Sequence, residues 1–158
     1  LYLSWKLKAM NYTARFIELA TSINSQMPAY VTNKISDALN EDRKSVKGSK
    51  ILVMGVAYKK DVSDIRESPA LDIIGLLHSR GADVSYSDPY VPELDIRGEK
   101  VKSHDPASGY GAYDCVAIIT AHTQFDYSRL LNEATLVYDA RNATAGLKPG
   151  SGCRVTRL

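Results

Sequence analysis

Apolar positions fall into two regimes along this chain. Up to Asn40 they recur three and four residues apart: Phe16, Leu19, Ala20, Ile23 and Met27, then Tyr30, Val31, Ile35, Ala38 and Leu39. That is the spacing of one helix face, and it predicts helix from Thr13 to Asn40. Pro28 removes a hydrogen bond and crowds the carbonyl near Asn24. One helix kinked at Pro28 and two helices with Pro28 opening the second both satisfy the pattern. A shorter helix over Leu3–Met10 precedes it, set apart by Asn11-Tyr12-Thr13, with Thr13 as a cap. This region has no sheet of its own, so a long helix with an apolar face needs a partner to cover it.

After a charged linker, Glu41 to Ser49, the pattern changes to short apolar bursts. Ile51-Leu52-Val53-Met54, bounded by Gly48 and Gly55, reads as a strand buried on both faces, spanning Lys50 to Val56. Ser68-Pro69 is a helix start, with Ser68 as N-cap and Pro69 at the first helical position. Leu71, Ile73, Ile74, Leu76 and Leu77 carry that helix to Ser79, and Gly81 suits a left-handed C-cap. Asp83–Ser87 is the next strand, ended by Asp88-Pro89. Residues 90–98 read as loop, 100–103 as a short edge strand and 106–112 as a short helix or loop. Strands follow at Val116–Ile119, Leu136–Asp139 and Cys153–Val155, with a short helix over Asp126–Leu131. Strand and helix alternate, so the fold class is α/β: a Rossmann-like, doubly wound, mostly parallel sheet preceded by a long helical segment. The expected division is a helical part over 1–48 and the sheet domain over 49–158.

Composition narrows the function classes. The net charge is +2 with 24% charged residues, a balance that argues against a general nucleic-acid or membrane binder. Cys115 and Cys153 make no disulfide framework, and Cys115 reads as a small core residue. No stretch is apolar enough to span a bilayer and no leader pattern opens the chain, so a cytoplasmic protein is the default. The chain begins at Leu1 in mid-pattern and is read as a fragment.

Chemistry concentrates beyond the ends of the strands, where ligands sit in open α/β sheets. Tyr58, Lys59, Lys60 and Arg66 lie in the loop after the first strand, His122 follows a middle strand, and Arg141 follows a later one. Lys supplies a point charge and Arg a planar fork for a diphosphate, and an aromatic such as Tyr58 supports a base or sugar. Taken alone, Lys59 and Lys60 also read as a solvated loop. Asp61, Asp64 and Glu67 could be a metal-binding carboxylate cluster, but Lys59, Lys60 and Arg66 are at hand to neutralise them. Arg66 with Glu67 and Asp64 also reads as a structural ion-pair network. His122 is either a base or, as a lone histidine at a strand end, a satisfied structural residue. Asp88 stands where a Rossmann acid would bind ribose, yet Gly55 is alone and the Gly-x-Gly-x-x-Gly fingerprint is missing, so an NAD site built by this sheet is not expected.

The run Gly55-Val56-Ala57-Tyr58-Lys59-Lys60-Asp61, with Asp64 and Arg66-Glu67-Ser68-Pro69, resembles the C-terminal, UDP-binding domain of the nucleotide-sugar 6-dehydrogenases. The likeness continues through Asp88-Pro89-Tyr90-Val91-Pro92, Thr120-Ala121-His122, Phe125 and Asp139-Ala140-Arg141-Asn142. Upstream, Tyr2-Leu3-Ser4-Trp5-Lys6, Arg15–Ala20, Ile23-Asn24 and Met27-Pro28 resemble the second half of the family's central helical domain, which carries its main dimer contact. The resemblance implies that Tyr58, Lys59 and Arg141 contact the UDP-sugar. It implies that Arg66 reaches the pyrophosphate of NAD, which is bound mainly by another Rossmann domain. The implied whole enzyme oxidises the C6 alcohol of a UDP-hexose to a uronic acid in two hydride transfers, through a thiohemiacetal and a thioester on a cysteine. That cysteine and its partner residues would lie before Leu1, and neither Cys115 nor Cys153 matches it, so this chain alone is expected to be catalytically silent. The implied partners are the UDP-sugar and a second copy joined through the N-terminal helix. The rival reading is a stand-alone nucleotide-binding or regulatory module with a helical dimerisation arm.

Overall fold

The computed structural model describes Lys6 and residues 14–96 and 98–158. Helix α1 spans Arg15–Glu41 without a break and carries Pro28 inside it. It is one helix, and its first and second halves have different surroundings. In the first, Phe16, Leu19 and Ile23 are 83%, 58% and 51% exposed. In the second, Val31, Ile35, Ala38 and Leu39 are buried in the same core as the sheet. The expectation that this face has no partner within the chain is therefore corrected for the second half, where the sheet supplies the cover. The expected helix at Leu3–Met10 and the Thr13 cap lie outside the described residues, Lys6 apart.

The sheet contains strands β1 (Lys50–Met54), β2 (Asp83–Ser87), β5 (Cys115–Ile118), β6 (Leu136–Asp139) and β7 (Arg154–Arg157). They lie in the order β2-β1-β5-β6-β7, all parallel. Alternating side chains of β1 divide between two cores. Ile51 and Val53 face the core shared with α1 and with α2 (Pro69–Ser79). Leu52 and Met54 face the other, which includes Leu130 and Leu131 of α3 (Tyr127–Glu133). A strand covered on both faces has no polar position to show, which is why β1 reads as an unbroken apolar burst. Each such side chain contributes about 1.5–3 kcal/mol on burial.

Local signals act as expected at α2. The Ser68 side chain accepts from Ala70 N and Pro69 follows at the first helical position. Gly81 has φ +85°, and its amide donates to His78 O. The stretch from 90 to 98 departs from expectation, because it is not all loop. Residues Glu93–Ile96 form β3, which pairs antiparallel with β4 (Glu99–Lys102) as a separate two-stranded arm. The strand read at 100–103 thus belongs to that arm, and the edges of the main sheet are β2 and β7. Leu94 is buried and Ile96 and Val101 are half-buried, so the arm has little apolar signal. A short 3₁₀ turn, Pro106–Ser108, follows it.

The chain runs from β1 outward to β2, then returns to the other side of β1 as β5. This reversal opens a crevice at the carboxyl ends of β1 and β5, the topological switch point where open α/β sheets bind ligands. In register, Met54, Ile118, Asp139 and Arg157 form one row across the sheet at this edge.

Candidate functional site

The loops at the switch point are held by buried polar groups. Asp88, 2% exposed, ends β2 and turns its carboxylate toward β1. Its Oδ2 accepts from Val56 N at 2.7 Å and Ala57 N at 3.0 Å, while Oδ1 accepts from Tyr90 N at 2.8 Å. His122 is fully buried beside it. Its Nδ1 accepts from Asp61 N at 2.9 Å, so the proton resides on Nε2, which donates to Asp88 Oδ2 at 3.0 Å. Tyr90 covers the imidazole, with ring centroids 5.0 Å apart, and Tyr127 Oη donates to His122 O. The Asp61 carboxylate accepts from Thr123 N at 2.9 Å, and that bond draws its pKa below the usual value.

Gly55 explains why β1 and β5 approach so closely here. Its φ is +79°, and a Cβ at this position would lie 2.1 Å from Thr120 O. Thr120 Oγ1 in turn donates to Ala57 O at 2.7 Å. The lone glycine thus serves contact between two strand ends, a different task from the glycines of a dinucleotide cradle.

A second buried carboxylate shapes the turn after β6. Asp139 accepts from Arg141 N, Ala143 N, Thr144 N and Thr144 Oγ1, at 2.7–3.1 Å. Burial pushes its pKa up, but these four donors outweigh burial and leave it below the ordinary carboxylate value. Asn142 takes φ +55° to complete the turn.

The expected site residues stand on these frames. Tyr58 is half exposed, its amide donates to Asp64 O at 2.7 Å, and Lys59 Nζ lies 5.6 Å from the centre of its ring. Lys59, Lys60 and Arg141 are exposed. Arg141 lines a cleft of about 480 Å³ with Asp139, Asn142 and Arg157. Arg66 is directed outward, its side chain 87% exposed, and grips Asp64 through two parallel bonds at 2.9 and 2.8 Å. That grip lowers the Asp64 pKa to about 2. The loops bearing Tyr58-Lys59 and Arg141 leave β1 and β6, which flank β5, so both open on the same sheet edge.

Other candidates take structural positions. Both nitrogens of His122 are engaged, which matches the structural reading and leaves no free base. Asp88 has its oxygens filled by three amides and an imidazole, so it is not available to a ribose. Asp64 pairs with Arg66, and among the described residues no group of three or more His, Cys, Asp or Glu side chains has metal-binding geometry. Burial raises the thiol pKa of Cys115 to about 12 and raises that of Cys153, so neither is an activated thiolate. The anchoring roles of Asp88 and Asp139 were not read from the sequence. Their signal is an Asp at the end of a buried strand, before a polar loop whose amides need acceptors.

Comparison with known proteins agrees with this geometry. Residues 52–146, more than half of the chain, match the UDP-binding domain of the UDP-glucose/GDP-mannose dehydrogenase family. A UDP-N-acetyl-D-glucosamine 6-dehydrogenase of Pseudomonas aeruginosa is 29% identical over 124 residues, covering 78% of this chain and 29% of the relative. UDP-glucose 6-dehydrogenase TuaD of Bacillus subtilis is 32% identical over 143 residues, covering 85% and 30%. The UDP-N-acetyl-mannosamine dehydrogenase Cap5O of Staphylococcus aureus superposes with a TM-score of 0.70 at 29% identity, covering 91% of this chain and 33% of that one. The chain thus spans about a third or less of the length of these relatives. A doubly wound sheet with this switch point and a match across it make the chain a member of the UDP-glucose/GDP-mannose dehydrogenase family, carrying that family's UDP-binding domain.

Proposed function

We propose that this chain is the nucleotide-gripping part of an NAD-dependent UDP-sugar 6-dehydrogenase, which oxidises the C6 alcohol of a UDP-hexose to a uronic acid. One observation carries the reading. Lys59 and Arg141 stand on rigidly tied loops at one carboxyl edge, and among the described residues no carboxylate pairs with either. Unneutralised cations on a fixed frame suit a diphosphate. Tyr58, half exposed beside Lys59, supports the base or sugar. NAD, the hydride acceptor in such a reaction, is not cradled by this sheet, because Gly55 is occupied by its contact with Thr120. Arg66 is the contact this chain would extend toward the NAD pyrophosphate, after release from Asp64. With both thiols held protonated, the chain supplies binding and no nucleophile, so purified chain with NAD and any UDP-hexose yields no NADH. A second copy covers the exposed Phe16-Leu19-Ile23 face of α1 to form a homodimer.

Calorimetric titration of UDP and of UDP-N-acetylglucosamine tests the site. Lys59→Ala and Arg141→Ala each remove a charge-assisted contact worth about 1.5–3 kcal/mol, roughly a tenfold or greater loss of affinity. Lys60→Ala and Arg66→Ala change affinity little. A wild-type chain that binds neither ligand, or a larger loss for Lys60→Ala than for Lys59→Ala, overturns the reading.

A further inference from the structure

We infer that Arg157, on the edge strand β7, is a further phosphate-binding residue that closes a two-arginine clamp with Arg141 on the diphosphate of the nucleotide sugar. The inference rests on the proposed reading of the site as a UDP-sugar site and extends it to a strand outside the matched region, which ends at residue 146.

The register puts Arg157 there. Asp139 at the end of β6 pairs with Arg157 at the end of β7, so Arg157 stands beside the turn that carries Arg141. Both arginines line the same cleft of about 480 Å³, and both are exposed. Arg157 has one weak internal contact, from Nη2 to Thr144 Oγ1 at 3.5 Å. Among the described residues no carboxylate pairs with it. The one acidic side chain among the described residues lining the cleft, Asp139, is 1% exposed and its oxygens take four donors, so its charge is answered from within.

The other guanidinium on β7 is the internal control. Arg154, three residues earlier on β7, is tied to Glu41 at 2.6 Å and Asp42 at 2.9 Å. One arginine of the strand is thus consumed by the fold, and the one at the carboxyl edge is left with its charge unanswered. Two guanidinium forks on neighbouring strand ends match an anion with several oxygens better than a single carboxylate. The spacing also fits the ligand. From β1 to β7 there are three strand intervals, roughly 14 Å. A nucleoside diphosphate-sugar lying along the edge can meet Lys59 and the Arg141–Arg157 pair at once, whereas inorganic phosphate cannot.

The test is calorimetry on the 158-residue chain with UDP, uridine and inorganic pyrophosphate. Arg157→Ala should weaken UDP binding about tenfold or more and leave uridine unchanged. Arg157→Lys, which keeps the charge and the stem but loses the fork, should fall between wild type and Arg157→Ala. Pyrophosphate should displace UDP from wild type and compete more weakly in Arg157→Ala. Thermal unfolding of both variants checks the fold, and Arg157→Lys carries the test if the alanine variant does not fold. If Lys59→Ala loses UDP affinity while both Arg157 variants bind like wild type, the clamp is refuted and the UDP-site reading stands. Simultaneous binding of pyrophosphate and UDP refutes it as well, since the cleft would then be a separate anion site. A wild-type chain that binds no UDP refutes the clamp together with the reading beneath it.

Discussion

Replacing Asp88 by Asn tests whether the buried carboxylate sets the loop after β1. The side chains are nearly the same shape, so packing is preserved and the hydrogen bonds carry the effect. Oδ2 serves Val56 N, Ala57 N and His122 Nε2, and Oδ1 serves Tyr90 N. If the new carbonyl takes the Oδ2 place, the amide nitrogen confronts Tyr90 N–H, donor against donor. If it is flipped, three donors confront an NH₂ group. Bonds to a charged acceptor contribute about 1.5–3 kcal/mol against about 0.5–1.5 for a neutral one. Counting one lost bond and several weakened ones that do not add fully, the cost is about 2–4 kcal/mol. For a chain of this size that lowers Tm by about 4–16 °C. Urea unfolding gives the free energy, and UDP titration of the folded variant should also show weaker binding, because Lys59 rides on the loop that Asp88 anchors. Stability within about 0.5 kcal/mol of wild type refutes the reasoning, since that is the effect of an ordinary surface change.

Gly55→Ala places a methyl 2.1 Å from Thr120 O at a φ of +79°, so left-handed strain and overpacking together should cost about 2–5 kcal/mol by urea unfolding; a neutral variant would refute the close approach of β1 and β5. Arg154→Ala cuts the ties from β7 to Glu41, Asp42 and Ala38 O at the end of α1, and should lower stability by about 1–2 kcal/mol in thermal melts; an unchanged melt would show the ties to be idle. Asp139 has a folded pKa below its unfolded value, so its contribution is complete above about pH 3.9 and is lost as pH falls from there through the folded value. Asp139→Asn should therefore flatten the acid limb of the urea midpoint below about pH 4, and parallel limbs would count against it. Leu19→Asp with Ile23→Asp should leave the chain monomeric by light scattering, and a wild-type chain that is already monomeric at high concentration would end the dimer proposal.

Legibility in the sequence followed burial. β1, β2, β6 and α2 were readable because each is covered by the fold on its apolar positions, and α2 also has Ser68-Pro69 and Gly81 as punctuation. The β3–β4 arm was not readable, because Leu94 is its one buried apolar side chain and Glu93, Asp95, Lys100 and Lys102 dominate the rest. The differing fates of the halves of α1 were also hidden. Leu19-Ile23 and Val31-Ile35 have the same spacing, and spacing alone does not tell which segment meets the sheet. At the site, strand-end position gathered Tyr58, Lys59, Lys60, His122 and Arg141 as candidates, and the family resemblance, not position, set Lys59 and Arg141 apart from a solvated loop. Asp88 was weighed as a ribose acid because its place in the order is right; the three amides and imidazole that occupy it come from β1, β5 and its own turn, which adjoin only in the folded chain. Arg157 went unread because a polar strand at the end of the chain shows nothing of the neighbour it pairs with.

The carboxyl edge divides its charges by depth. The carboxylates at strand ends, Asp88 and Asp139, are buried and spent on backbone amides, whereas Lys59, Arg141 and Arg157 are exposed and lack a carboxylate partner among the described residues. Four cations elsewhere are answered by carboxylates: Lys44 meets Asp114, Lys100 meets Glu93, Arg129 meets Glu133, and Arg154 meets Glu41 and Asp42. At the carboxyl edge, three cations without a carboxylate partner stand on backbone that is tied down from beneath. Such an edge repels itself when empty and is relieved by an anion. Because its loops are tied down by these bonds to Asp88 and Asp139, binding of the proposed UDP-sugar would lose little to loop ordering, and the attraction would go into affinity. On the proposed reading, the buried acids would act on a UDP-sugar without touching it: they hold still the backbone from which the cations reach out.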